Sequence, residues 1–240
     1  MKRSFFVVLL LMLSYNSLFA QNLALRADLG LGISGLYDLK TFQKEVYLSK
    51  ISTYPDVRML YDFAEKPRFG LGVDLYFNEK NVMGFGCAFR TSDAQILADQ
   101  AGEGYKMSLK LSGTNIGGLY RHDYLVTNKS RLGAQIDLGM MVAQLKINET
   151  QKSNYITRAI DAYDLRSISY YVTPSIQFSQ QMGGSGRFYV GLGYEFDREG
   201  ILFDRLNDRR LKFMNNHSVT MDWSGFQLTS GLTLDFFSGW

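Results

Sequence analysis

From residue 23 onward, apolar and polar residues alternate along most of the chain. In LALRADLGLGIS, Leu23, Leu25, Ala27, Leu29, Leu31 and Ile33 share one parity, and Arg26, Asp28, Gly30 and Gly32 take the other. The same alternation recurs in RFGLGVDLYF, NVMGFGCAFR, YKMSLKLSG, RLGAQIDLGMMV, SISYYVTPSIQFS and RFYVGLGYEF, and last in FQLTSGLTLDFF. Successive side chains of a strand point to opposite faces, so each run predicts a strand with one apolar face. Pro174 removes a ladder donor inside the sixth run, which predicts a bulge or a locally open pair there. The parity is disturbed near Thr114–Gly118. It shifts again between Trp223 and Phe226, for which a bulge at Ser224–Gly225 is expected.

The connections add an independent signal. Segments 78–81, 126–131 and 180–187 are short, whereas 38–66, 91–104, 145–165 and 198–216 are long, and the two kinds alternate. Short turns at one end and long loops at the other are the layout of a transmembrane barrel. The predicted fold is therefore all-β, an eight-stranded antiparallel up-and-down transmembrane barrel, or ten-stranded if the long connections hide a hairpin. In a barrel the apolar parity meets lipid. The other parity, rich in glycine and in charges of both signs, fills a narrow interior. This assigns Arg26, Asp28, Asp74, Lys106, Lys110, Arg131, Asp137, Arg187, Glu195 and Asp235 to the lumen, where opposite charges pair because an unpaired buried charge is costly. Tyr37, Tyr76, Phe77, Phe89, Tyr105, Tyr120, Tyr124, Tyr170, Phe188, Phe236, Phe237 and Trp240 fall at strand ends, where amphipathic rings suit a membrane interface.

Composition agrees with sheet: 23 Gly, 3 Pro and 14 % aromatic residues. The first twenty residues have a basic start at Lys2 and Arg3 and an apolar run from Phe5 to Leu13. They end at Ala20, with Leu18 where a small residue is preferred. They read as a cleaved signal peptide (1–20) ahead of an outer-membrane barrel domain (21–240). Removing Lys2 and Arg3 takes the formal charge from +3 to +1, which gives no reason to expect a nucleic-acid partner. Cys87 is the single cysteine, so no internal disulfide forms. Nothing after the leader has about 18 consecutive apolar residues, so a membrane form must be a closed barrel, which pairs all its backbone groups.

The stretch TSGLTLDF, through Thr229, Gly231, Leu234 and Phe236, resembles the C-terminal signal of bacterial outer-membrane barrels. It implies the barrel-assembly machinery as a partner during biogenesis. It departs from that pattern in having Leu234 in place of an aromatic residue and four residues after Phe236. In length, leader and strand pattern the whole mature chain is similar to the PorT-like outer-membrane β-barrel family. That resemblance implies an outer-membrane location and no particular activity, and members implied in gliding or protein secretion leave an accessory role open, with no residue here that specifies it.

Candidate chemistry is sparse. His122 and His217 fall at opposite ends of the predicted barrel, too far apart for one site, and no catalytic, metal or cofactor residue is identified. Loop 197–213 carries Arg198, Arg205, Arg209, Arg210 and Lys212 against Glu199, Asp204 and Asp208, a basic set able to grip phosphate or carboxylate. Loop 38–66, with Tyr54, Tyr61 and Phe63, is more apolar than a free loop. It either folds over the barrel mouth or forms a docking surface. The expected function is non-enzymatic: a barrel with a side-chain-filled lumen, acting through its outer loops in envelope structure, adhesion or as a secretion accessory. Its expected partners are outer-membrane lipid and other envelope proteins. The alternatives are a lipid-modifying enzyme of the lipid A acyl hydrolase or transferase type, with His217 beside Ser218, and a soluble periplasmic β protein.

Overall fold

A computed structural model describes residues 22–65, 67–100, 103–153, 156–204 and 209–236. The leader, Arg205, Phe237 and Trp240 lie outside them. The elements in chain order are β1 (Asn22–Ser34), α1 (Tyr37–Ile51), β2 (Arg58–Glu65), β3 (Arg68–Tyr76), β4 (Asn81–Gln100), β5 (Glu103–Val126), β6 (Ser130–Ser153), β7 (Ile156–Gln181), β8 (Gly186–Asp197), β9 (Gly200–Ile201), β10 (Phe203–Asp204), β11 (Thr220–Met221) and β12 (Gly225–Asp235).

Eight strands close a ring in the order β1, β3, β4, β5, β6, β7, β8, β12, every pair antiparallel. The terminal strand completes it: β12 pairs with β1 from Ala24↔Asp235 to Ser34↔Gly225, and with β8 on its other side. Closure leaves no open edge within the ring, as lipid requires. The ring strand between β1 and β4 is broken in two. β3 pairs with the first part of β4, and β2 pairs with Ser92–Leu97 further along it. β2 is irregular, with register shifts on both sides of Tyr61 and a positive φ of 46° at Phe63, whose ring is buried.

Two of the expected long loops are sheet. The described residues of segments 91–104 and 145–165 belong to the antiparallel pairs β4–β5 and β6–β7, which run far past the ring. A third, 38–66, holds α1, which the periodicity of the strands did not suggest. Pro174 keeps its register with Ile136, but the β7–β8 ladder passes from Val172↔Phe196 to Ser175↔Gly193 with no pair recorded between them. The pair is locally open there, as expected.

The outer face of the ring is an apolar belt. On β6, Ile136, Leu138 and Met140 are exposed, as are Leu25, Leu29 and Leu31 on β1 and Phe226, Leu228 and Leu232 on β12. From Leu132 to Val142, at roughly 3.3 Å per residue and a tilt near 40°, the belt is about 25 Å tall, the height of a bilayer's apolar band. Outward aromatic residues gather at its two margins: Phe69, Phe89, Tyr170, Phe196 and Phe226 at one, and Tyr120, Tyr124, Phe178, Phe188 and Phe236 at the other. Tyr76 and Tyr105 depart from the expectation, since both face inward and are buried. The structure is a transmembrane β-barrel.

Past the belt, the meaning of the two parities inverts. Odd residues of β5 face inward along its whole length: Arg121 and Asp123 at one end, Tyr105, Met107, Leu109 and Leu111 at the other. On β6 the inward series runs from Arg131, Gln135 and Asp137 to Met141, Ala143, Leu145 and Ile147, while the outward one changes from Leu138 and Met140 to Lys146 and Asn148. No parity break occurs at Thr114–Gly118, nor a bulge at Ser224–Gly225. Trp223 is buried and Gln227 is too, because both face in, one on each side of the inversion. Inside the bilayer, lipid takes the apolar face and the lumen the polar one. In water the wall behaves as an ordinary soluble sheet.

Candidate functional site

The lumen within the belt is filled by a connected column of charged and polar side chains. At the short-turn end, Arg121 Nε lies 3.1 Å from Asp123 Oδ1, and Arg131 Nη1 lies 3.7 Å from Asp123 Oδ2. Both guanidiniums stack near the Tyr76 ring, at 5.9 and 5.4 Å. Midway, Arg26 reaches Asp74 at 3.1 Å and Asp28 at 3.6 Å, and Arg68 lies 3.5 Å from the other Asp28 oxygen. Arg68 Nη1 donates to Gln227 Oε1 at 3.0 Å, Gln227 Nε2 donates to Glu195, and Arg90 donates to Glu195 at 2.7 Å. The Arg90 guanidinium then stacks on Trp223 at 4.8 Å, the first large apolar side chain above the column. Mixed signs at short range are what allow this many ionised groups out of bulk water.

Beside the column a polar cavity of about 70 Å³ is lined by Arg26, Asp28, Asn115, Gln135, Asp137 and Tyr171, among others. It is a pocket among packed side chains, with room for a few waters and not for a hydrated stream of solute. Gln135 donates to Asp137 there, at 2.8 Å.

The residues assigned to the lumen divide accordingly. Arg26, Asp28, Asp74, Arg131, Asp137, Arg187, Glu195 and Asp235 all project to the inner face of the ring. Lys106 and Lys110 do not. They stand exposed on the outer face of β5, above the belt, where the outward parity is polar. Three further residues join the lumen: Arg90, Asp123 and Gln227, all buried on the inner face. Arg90 ends its alternating run and Gln227 lies inside its own, both on the interior parity, and Asp123 keeps the interior parity of β5 beyond the run that ends at Gly113.

Above the column sits an apolar core with no counterpart in the lumen below. Leu36, Leu39, Phe63, Ile96, Leu109, Leu145, Leu202 and Trp223 are among its fully buried members. Each such side chain contributes roughly 1.5–3 kcal/mol by burial. Its roof is α1 with the described parts of segment 198–224 (198–204 and 209–224). The helix turns Leu39 and Gln43 into the core, and Gln43 Nε2 donates to the Tyr61 carbonyl at 2.7 Å, tying α1 to β2. Asp38 accepts from the Thr220 N–H and hydroxyl at 3.0 and 2.7 Å, and Glu45 accepts from the Met214 N–H at 3.2 Å. Lys50 bridges to Glu149 of the wall at 3.1 Å and lies 4.5 Å from the Tyr105 ring centre. Tyr105, far above the belt, has its phenol held well above the ordinary range, first by burial and next by the nearby Glu149 charge.

Segment 38–66 thus folds over the mouth: Tyr54 and Phe63 are buried there, and Tyr61 is 55 % exposed. Arg198, Arg209, Arg210 and Lys212 are exposed, the last three together on one stretch and Arg198 apart from them. Arg198 follows β8 and donates its N–H to the Tyr170 carbonyl, Arg210 bridges Phe203, and Lys212 donates to Asn216 Oδ1. His122 sits by the short-turn end, 2.9 Å from Asn81, and His217 on the roof, so the two are not brought together. Thr229 and Gly231 face the lumen, whereas Leu234 and Phe236 are exposed to lipid. Among the described residues no helix is long and apolar enough to cross a membrane; the strands do so.

No protein-family model matches the chain, and no curated protein matches it in sequence. Among solved structures it is similar to the outer membrane protein OprG from Pseudomonas aeruginosa, with 12 % identity over 90 % of this chain and 96 % of that one, at a TM-score of 0.46. It is also similar to Ail, the attachment invasion locus protein of Yersinia pestis, with 11 % identity over 90 % and 99 % at 0.33. The outer membrane protease OmpT from Escherichia coli gives 8 % over 90 % and 97 % at 0.31. The fold assignment rests on the ring closure, the lipid-facing belt and the strand layout described above. These are the features of a Gram-negative outer-membrane barrel.

Proposed function

We propose that this outer-membrane barrel works without catalysis, as a rigid stem that presents a folded cap outside the cell for contact with other envelope or surface components. The observation that carries the reading is the cap itself. Four strands run on past the bilayer to support an apolar core roofed by α1 and the described parts of segment 198–224. A barrel that only sealed the membrane would have no use for an outer domain of this size. The filled lumen supports the same reading, because ion pairs from Arg121 to Arg90 occupy the route that a pore would need.

Adhesion, envelope structure and a secretion-accessory role all fit such a cap, and the resemblance to PorT-like barrels favours the last. Photocrosslinkers placed at Tyr61 and Arg209, both exposed on the cap, would test it in intact cells. A discrete crosslinked partner protein is expected. Probes that capture no protein from either position would count against the reading. Planar-bilayer recording supplies the second arm: no large, stable conductance steps are expected from the purified barrel.

A further inference from the structure

We propose that the outer wall just above the belt holds the phosphate of an outer-leaflet lipid between Lys110 and Lys146, with Arg166 beneath them. The two lysines are direct cross-strand partners on β5 and β6, and both are exposed on the outer face. Directly opposed residues carry their Cβ atoms about 5 Å apart, and like charges in that position repel. Neither lysine forms an ion pair with another side chain among the described residues. A row of four strands reads Asp93, Lys110, Lys146, Asp164 across the wall. One oxygen of Asp164 is already engaged by Gln144 Nε2 at 2.6 Å. An anion seated between the two ammonium groups turns their repulsion into attraction, and a phosphate offers enough oxygens to meet both.

The position of the row selects a lipid as the source. The same outer face, four residues below Lys146 on β6, is lipid-facing at Val142. On the neighbouring strands it is lipid-facing at Phe89 and Ile168. Four residues at roughly 3.3 Å each, tilted near 40°, put Lys146 about 10 Å above that margin. The headgroup layer is roughly 5–8 Å deep on each side of the apolar core. Lysine stems reach down into it while keeping their ammonium groups wet. Arg166 is half-buried two residues above Ile168 and one row below the lysines, within the headgroup layer. A lipid whose acyl chains lie on the belt therefore presents its headgroup to these three cations.

Purified full-length protein in a neutral detergent, titrated with diphosphorylated lipid A and followed by native mass spectrometry, tests the proposal. Wild type is expected to retain lipid A, and the double variant Lys110→Gln/Lys146→Gln to bind it at least tenfold more weakly, with Arg166→Gln showing a smaller loss. Lys129→Gln, at the short-turn end, should bind as wild type does. Dephosphorylated lipid A should bind wild type as weakly as the double variant binds the intact lipid. Inorganic phosphate at the same concentrations should not compete. Equal binding by the double variant, or equal binding of the dephosphorylated lipid, would overturn the proposal. Full competition by inorganic phosphate would also overturn it, in favour of a site for free anions. All three side chains stand on the outer face, so the variants keep the barrel, which the gel shift of unboiled samples verifies.

Discussion

Arg90 on β4 directs one guanidinium nitrogen at both carboxylate oxygens of Glu195 on β8, 2.7 Å from each, while its plane rests against Trp223. This contact ties opposite sides of the ring together at the level where the interior changes from polar to apolar. Replacing Glu195 by Ala strands a buried cation, at a cost of roughly 3–5 kcal/mol. The double variant Arg90→Met/Glu195→Leu removes both charges and should lose far less than Glu195→Ala does. Denaturant midpoints of the detergent-folded barrel, read as a double-mutant cycle, check the coupling.

The inversion of the two faces predicts opposite tolerances on a single strand. On β6, Leu138→Lys puts a charge on the lipid face and should cost about 2–4 kcal/mol. Lys146→Leu, eight residues further along the same face, should change stability by no more than about 0.5 kcal/mol, as an exposed substitution in water does. Leu145→Lys, one residue away but inward, should prevent the cap from folding. Limited proteolysis of intact cells reads the cap, and the gel shift of unboiled samples reads the ring.

Gly139 is required by a close approach of backbones across the lumen wall. A Cβ there would overlap the Ile116 carbonyl oxygen and sit 2.9 Å from the Tyr171 hydroxyl. The carbonyl cannot yield without opening the β5–β6 ladder. Gly139→Ala should therefore cost roughly 1–3 kcal/mol and Gly139→Val should fail to assemble, both measured as the fraction of barrel that migrates as folded.

Tyr105 gives the cap an alkaline limit. Its phenol stays neutral in the folded state above the pH near 10 at which an unfolded tyrosine ionises. Above that pH the unfolded chain binds fewer protons than the native one, so stability falls as pH rises. Below it the group contributes no pH dependence. Tyr105→Phe should flatten the decline between pH 10 and 11, with denaturant midpoints across that range as the readout.

Much of the ring was legible because strand parity and turn length are local properties. The eight runs, the three short turns and the open pair at Pro174 all follow from spacing or from one missing donor. Parity says which residues share a face, however, and not which solvent that face meets. A single parity rule applied from end to end of β5 puts Lys106 and Lys110 in the lumen, whereas they stand on the outer face. The solvent changes from lipid to water near Val142, and the rule changes with it. Helix α1 was illegible for another reason: its buried face includes Gln43, whose burial is compensated by the Tyr61 carbonyl rather than by apolar packing. Arg90 lay at the last position of its run, where neither its pairing with Glu195 across the ring nor its contact with Trp223 leaves a local trace.

Strand β6 passes from bilayer to external water between Val142 and Lys146. Single cysteines at Ile136, Leu138, Met140, Lys146 and Asn148, in a background with Cys87→Ser, can be probed in intact cells with a membrane-impermeant maleimide. Labelling is expected at 146 and 148, and protection at 136, 138 and 140. Leu138→Cys labelled as readily as Lys146→Cys would contradict this passage of β6 from lipid to water, because the apolar parity would then face neither lipid nor a core.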